Sequence, residues 1–214
     1  IGLYVFRGCS NLKEINVDQA NSNYLSENHV LYSKDKSILI RYPPNKDATL
    51  YNISSDVTSI DNFAFESCSN LATIEIPSSV TSIGLYAFQY CSNLESIEIP
   101  SSVDTISDYV FQYCSNLKSI EISNGVTSIG TDAFSGCSNL KEINVDPTNS
   151  NYLSEDDVLY SKDKSILIKY PAKKDSTVYI IPSDVTSIEN NAFESCSNLA
   201  SIKIPNSVTS IGNK

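Results

Sequence analysis

Methionine and tryptophan are absent from this 214-residue sequence, and histidine occurs once, at His29. One imidazole is too little for a histidine metal centre, and a Cys–His pair or a general base would have to be built on that residue alone. Basic residues are scarce as well. Fifteen Lys and Arg stand against 25 Asp and Glu, a formal charge of −10, and the longest basic stretch is Lys173-Lys174. Nucleic acid and anionic lipid need clustered positive charge, so neither is an expected partner. No apolar run approaches the roughly eighteen residues of a membrane-spanning helix, so direct membrane insertion of these residues is not expected. A glycine-rich phosphate loop and a nucleophile motif are both missing. The reading is non-enzymatic: no catalytic, cofactor-binding or metal-ligating residue is assigned, and no cofactor is expected.

What the sequence has is Ile, Val, Leu, Phe and Tyr, a mixture that favours strands, and repetition. Six cysteines stand at 9, 68, 91, 114, 137 and 196, with gaps of 59, 23, 23, 23 and 59. Each sits in the phrase Phe-x-x-Cys-Ser-Asn-Leu, as at Phe88–Leu94. The unit continues Leu94-x-x-Ile97-x-Ile99-Pro100-x-x-Val103-x-x-Ile106. In Ile97-x-Ile99 the isoleucines point one way and Ser96 and Glu98 the other, the alternation of a strand with one buried face. Pro100 removes an amide donor and ends the strand. One coil cannot cover its own apolar edge. Stacking the next coil at about 4.8 Å pairs the strands in parallel and buries it. Eight strand rungs are expected, near 15–17, 51–53, 74–76, 97–99, 120–122, 143–145, 179–181 and 202–204.

A longer repeat overlies the short one. Residues 1–86 align without gaps on 129–214, with about three quarters of positions identical. Both copies carry Val-Leu-Tyr-Ser-Lys-Asp-Lys-Ser-Ile-Leu-Ile, at Val30–Ile40 and Val158–Ile168. Two β-rich runs around a polar turn read as a hairpin. Inserts at about 18–50 and 146–178 are therefore expected to protrude from one solenoid spanning 1–214. Ile1-Gly2 repeats the phase of Ile211-Gly212, so the chain is expected to start and stop in mid-coil as a piece of a longer protein.

The unit Leu-x-x-Ile-x-Ile-Pro-x-Ser-Val-Thr-Ser-Ile-Gly-x-x-Ala-Phe-x-x-Cys-Ser-Asn resembles the 23-residue leucine-rich repeats of BspA-like surface proteins. Asp157–Ser165 is similar to the insert that interrupts those arrays. Ser123-Asn124 departs from the pattern, standing where Pro-Ser follows the strand elsewhere. The resemblance implies a β-rich, α/β-type solenoid, a right-handed leucine-rich-repeat superhelix with a parallel β-sheet face. It also implies a cell-surface or secreted adhesion module with a protein partner, such as a host matrix or cell-surface protein. A structural spacer in a longer surface protein and an intracellular interaction scaffold are the alternatives. No binding residue carries over from the family.

Candidate contact residues come from internal comparison. The inward positions repeat, while Phe63, Tyr86 and Tyr109, two residues before the repeat Phe, give way elsewhere to Asp132 and Asn191. Two residues after that Phe, Tyr90 and Tyr113 give way to Gly136 and Ser195. A helical turn in the return segment would set Tyr86 beside Tyr90 and Tyr109 beside Tyr113 as i,i+4 neighbours. Glu75, Glu98 and Glu121 should form an acidic stripe on the outward face of the strands, a match for a basic partner or a cation. The cysteines and the asparagines two residues after them, such as Asn93 and Asn116, are expected to be structural: buried thiols and turn-bonding amides.

Overall fold

The computed structural model describes residues 1–2 and 4–213. It is a β-solenoid of about 8 turns, and no helix occurs among the described residues, so the α/β expectation is corrected. Each coil contributes to two parallel ladders. The major ladder holds Leu50–Asn52, Thr73–Glu75, Ser96–Ile99, Ser119–Ile122 and Glu142–Val145 in one five-stranded sheet, and Val178–Ile180 with Ser201–Lys203 in a second. Register is strict: Ile120 faces Ile97 on one side and Ile143 on the other. The minor ladder is built of Ser-Ile or Thr-Ile pairs, among them Ser59–Ile60, Ser82–Ile83, Thr105–Ile106 and Ser128–Ile129. Ile60 and Ile106 point inward there and are buried.

The core follows from this stacking. Phe65, Phe88, Phe111 and Phe134 form a column with ring centroids 5.2–6.1 Å apart and nearly parallel planes. Each fully buried Phe or Ile contributes about 1.5–3 kcal/mol, so every added coil stabilises both of its neighbours.

Rung 15–17 is not a strand. Its Ile15 amide donates to the His29 carbonyl (3.1 Å) instead of to a coil of the major ladder. The other seven expected rungs are present, displaced by about one residue.

Between rungs, the long segments do not stand away from the solenoid as expected. Tyr24–Glu27, Val30–Ser33 and Ile38–Arg41 form an antiparallel meander, and Tyr152–Glu155, Val158–Ser161 and Ile166–Lys169 form its copy. The third strand of each is a rung of the minor ladder, with Leu39 beside Ile60 and Leu167 beside Ile188 in parallel register. Burial explains why. Val30, Leu31 and Leu39, like Val158, Leu159 and Leu167, need both of their faces covered. The second meander is pinned by Asn149, which is fully buried. Its amide donates to the carbonyls of Ser123 and Val126, both at 2.9 Å, and its Oδ1 accepts from the amides of Asn151 and Tyr152, both at 2.8 Å. The departure at Ser123-Asn124 has its own geometry. A Cβ on Gly125 would lie 1.9 Å from the Ser101 carbonyl oxygen, so the coils approach more closely there than a side chain permits.

The cysteines are unpaired. Cys68, Cys91, Cys114 and Cys137 are buried, Cys196 is half-buried and Cys9 is exposed, which corrects the expectation that all six are inside. Their chemistry is directional. The Cys91, Cys114 and Cys137 thiols donate to the carbonyls of Phe65, Phe88 and Phe111 in the preceding coil, at 3.1–3.2 Å. Burial pushes the Cys137 thiol up to about 12 and the Cys196 thiol up to about 11, so both keep their protons at neutral pH. Thiol titration of the native protein at about pH 8 should therefore show Cys9 reacting first and the four buried groups not at all. Six groups should react after denaturation. Fewer than six would reveal disulfides between coils.

Candidate binding surface

The return segment of each coil bends through the left-handed region twice. Two residues before the repeat Phe, residues Phe63, Tyr86, Tyr109, Asp132 and Asn191 have φ between 53° and 58°. Two residues after it, Gly8, Ser67, Tyr90, Tyr113, Gly136 and Ser195 have φ between 60° and 76°. These bends turn alternate amides toward the next coil: Phe63 donates to Leu85 O (3.0 Å), Phe65 to Ala87 O (2.8 Å) and Ser67 to Gln89 O (2.8 Å). The result is a third, irregular ladder of backbone hydrogen bonds.

This geometry replaces the expected helical turn, and it regroups the aromatics. Tyr86 and Tyr90 are not i,i+4 neighbours on a helix. Each stacks instead on its counterpart one coil along. Tyr86 lies on Tyr109 with centroids 4.7 Å apart and planes 2° from parallel, and on Phe63 at 4.9 Å and 6°. Tyr4 extends this column at 5.2 Å from Phe63. Tyr90 and Tyr113 form a separate pair at 4.9 Å. Phe63 is buried and Tyr86 and Tyr109 are half-buried, whereas Tyr90 is 47% exposed and Tyr113 42%. Leu85, exposed as well, borders the column. Desolvation raises the Tyr86 phenol, with the neighbouring Tyr109 adding to the shift, so the Tyr86 hydroxyl keeps its proton at physiological pH.

Left-handed backbone costs an L-residue about 1–2 kcal/mol, least for Asn and Asp and nothing for Gly. The coils at 132, 136 and 191 use those cheaper residues. The central coils carry five bulky aromatics in the same slots. Inter-coil stacking offsets part of the strain, since a stacked aromatic pair adds about 0.5–1.5 kcal/mol beyond its area. Gly136 ends the outer pair: a Cβ there would sit 2.4 Å from the Tyr113 ring.

On the major ladder, Glu75, Glu98 and Glu121 are exposed, and Glu98 faces Glu121 in register. Their mutual repulsion across solvent is on the order of 1 kcal/mol or less. Asn144 Nδ2 donates to Glu121 (2.7 Å), and the exposed Lys118 pairs with Glu95 (2.8 Å) beside the stripe. Asparagines bond between coils as well as to turn backbone: Asn139 Nδ2 donates to Ser115 O (2.8 Å) and to Asn116 Oδ1 (3.3 Å). His29 bonds Asn16 at 2.9 Å and is half-buried. Among the described residues no group of three His, Cys, Asp or Glu side chains is arranged to hold a metal, and no helix is long and apolar enough to cross a membrane.

Sequence reasoning missed a buried charge in each meander. Arg41 donates to the carbonyls of Phe63 and Glu66 and lies 3.7 Å from the Glu66 carboxylate. Lys169, its copy, donates to Asn191 O (2.8 Å) and lies 3.8 Å from Glu194. Their signal was the cation in an otherwise apolar Ile-Leu-Ile-Arg or Ile-Leu-Ile-Lys strand.

A family model described as the BspA type leucine rich repeat region matches six copies over residues 44–159 and 172–214. Solved structures share the fold. A leucine-rich repeat protein from Eubacterium ventriosum is 29% identical with a TM-score of 0.69, over 90% of this chain and 60% of its own. A leucine rich cell surface protein from Faecalibacterium prausnitzii is 28% identical with a TM-score of 0.52, over 94% and 66%. The pneumococcal vaccine antigen PcpA, at 21% identity and a TM-score of 0.68 over 97% and 58%, is similar in fold. The chain thus spans about 60% of the length of these structures. No curated protein matches it.

Proposed function

The chain belongs to the BspA-type leucine-rich-repeat family, and on that premise we propose that it is a non-catalytic, surface-displayed or secreted module that binds a protein partner. Residues 1–214 would act as one continuous array. The contact surface is the half-buried Tyr86 and Tyr109 of the aromatic ladder, backed by the buried Phe63, together with the exposed Tyr90–Tyr113 pair. The carrying observation is the placement of large aromatics in left-handed slots that other coils fill with Gly, Ser, Asp or Asn. Folding does not require a ring there. Rigid, partly exposed tyrosines are what contact sites concentrate. The surface location draws support from the Faecalibacterium relative, which is described as a cell surface protein. The stripe of Glu75, Glu98 and Glu121 is the second candidate face, suited to a basic partner.

Replacing Tyr90 and Tyr113 together by Ser tests the ladder. Ser67 and Ser195 already occupy this slot with the same backbone sign, so the fold should accept the change. The melting point should move by no more than a few degrees, while adhesion to immobilised extracellular-matrix proteins should fall by about tenfold. A large drop in melting point would make the rings inter-coil packing. Undiminished adhesion in a stable double variant would remove the ladder from the contact surface, and Glu98→Lys is then the matching test of the acidic face.

A further inference from the structure

The duplication provides an internal control for a cleft that has no part in the reading above. Where each meander leaves the coils, a cavity opens between the preceding coil, the third meander strand and the following coil. In the first copy it measures about 120 Å³, with Arg41, Phe63 and Arg7 in its lining. In the second it measures about 390 Å³, within the range of small-molecule sites. The two are equivalent positions in copies that are about three quarters identical.

The differences between the copies gather at this cleft. Seven of its sixteen lining residues differ from their first-copy counterparts, against about a quarter of positions in the whole duplication. Five of the exchanges shrink the side chain or make it more polar. Thr131, Asp132, Ala133, Ser135 and Asn191 stand where the first copy has Leu3, Tyr4, Val5, Arg7 and Phe63. One contact shows the effect directly. Tyr4 and Phe63 pack ring against ring at 5.2 Å, whereas Asn191 Nδ2 donates to Asp132 Oδ1 at 2.6 Å. A filled aromatic corner has become an open polar one.

The floor of the open cleft is rigidly built. Lys169 is 5% exposed and donates to Asn191 O (2.8 Å), with Glu194 3.8 Å away. Glu194 in turn accepts from Ser135 Oγ (3.2 Å) and from the Gly136 amide (3.1 Å). Toward the mouth, Asp132 and Glu189 offer carboxylate acceptors and Asn151 an amide, while Ile129 and Ile166 supply apolar wall. An anion would meet Asp132 and Glu189 at the mouth, and a cation would meet Lys169 at the floor. A neutral ligand with many hydroxyls avoids both repulsions. Its hydroxyls can donate to the carboxylates in charge-assisted bonds and accept from Asn151, while its C–H faces lie on the isoleucines.

We infer that the cleft between residues 129–135, 151–169 and 189–191 is a binding site for an uncharged saccharide unit, roomy enough in the second copy and too small in the first. None of the five ladder aromatics lines the cleft, although its 131–135 wall is the coil stacked on Tyr109 and Tyr113, so the two assignments are tested by different substitutions.

A glycan array carrying neutral, sialylated and amine-bearing oligosaccharides, probed with the whole chain, tests it. Binding is expected to neutral glycans. The double variant Asp132→Tyr with Asn191→Phe restores the first-copy residues and should weaken that binding by about tenfold or more, with far-UV CD unchanged. Glu189→Ala, at an exposed position, provides a second test that leaves the packing alone, and it should weaken binding as well. Tyr90→Ser with Tyr113→Ser should leave glycan binding intact. Absence of glycan binding, preference for the sialylated or amine-bearing set, or binding unchanged in both cleft variants would each overturn the assignment.

Discussion

Ile99→Asp is expected to cost on the order of 4 kcal/mol or more, enough to unfold the central coils. Ile99 is fully buried, and the strand that holds it is paired on both sides. A carboxylate there would sit among apolar side chains, while the buried Arg41 and Lys169 are already paired with Glu66 and Glu194, so it must either remain charged without a partner or take up a proton. The damage should be regional, because a coil touches mainly its neighbours. The apolar core itself is divided. One cluster runs from Val30 through the central coils to Ile143 and Leu159, and a separate one gathers Val158, Tyr160, Leu167, Tyr170, Ile181, Val185, Ile188 and Ala192. Amide hydrogen exchange should therefore accelerate around residues 70–125 well before it does near 180–204. Uniform loss of protection along the chain would show a single cooperative unit and refute the divided core.

Asn149→Ala should rank next, at about 3 kcal/mol or more. The side chain satisfies four backbone groups at once, two carbonyls of the preceding coil and two amides at the start of the second meander. Leaving a buried backbone group unpaired costs about 1–3 kcal/mol, and water entering the vacated space recovers only part of that. Asn149→Asp separates the two halves of the device. It keeps the acceptor but sets a second carboxylate oxygen against the Ser123 and Val126 carbonyls, so its loss at neutral pH should match or exceed that of Asn149→Ala and shrink in acid, where a protonated carboxyl can donate one bond. Exchange should rise first in residues 149–169. A variant as stable as wild type would show that the meander is held by its apolar strands alone.

Much of the scaffold was legible before any coordinates. The 23-residue phrase set the rungs, because parallel stacking reproduces the same inward residue in each coil, and Phe88 over Phe111 is the direct result. Of the readings that the structure corrects, two concern segments whose local pattern is ambiguous. The meander was expected to protrude, since an alternating pattern around Ser-Lys-Asp-Lys-Ser states a hairpin but not what lies against it. Its third strand joins the minor ladder because Leu39 and Leu167 require cover. The return segment was expected to be helical, since Tyr86 and Tyr90 have helical spacing. The better signal lay in the other coils: Gly, Asp and Asn filling those two slots mark left-handed backbone. The cleft was beyond reach from sequence alone. Its walls come from three segments spread between Ile129 and Asn191, and only their juxtaposition shows that Asp132 and Asn191 occupy one corner.

The direction of the ladders has a mechanical consequence. The strands run across the long axis of the solenoid, so their hydrogen bonds lie along it, and a lengthwise pull separates coils one after another. No step requires many bonds to shear together. Each 23-residue coil released would yield roughly 70–80 Å of extended chain, from a starting rise of about 4.8 Å. A molecule of this build, tugged between two surfaces, would lengthen in small even steps under low force and rewind from its remaining coils when the tension dropped.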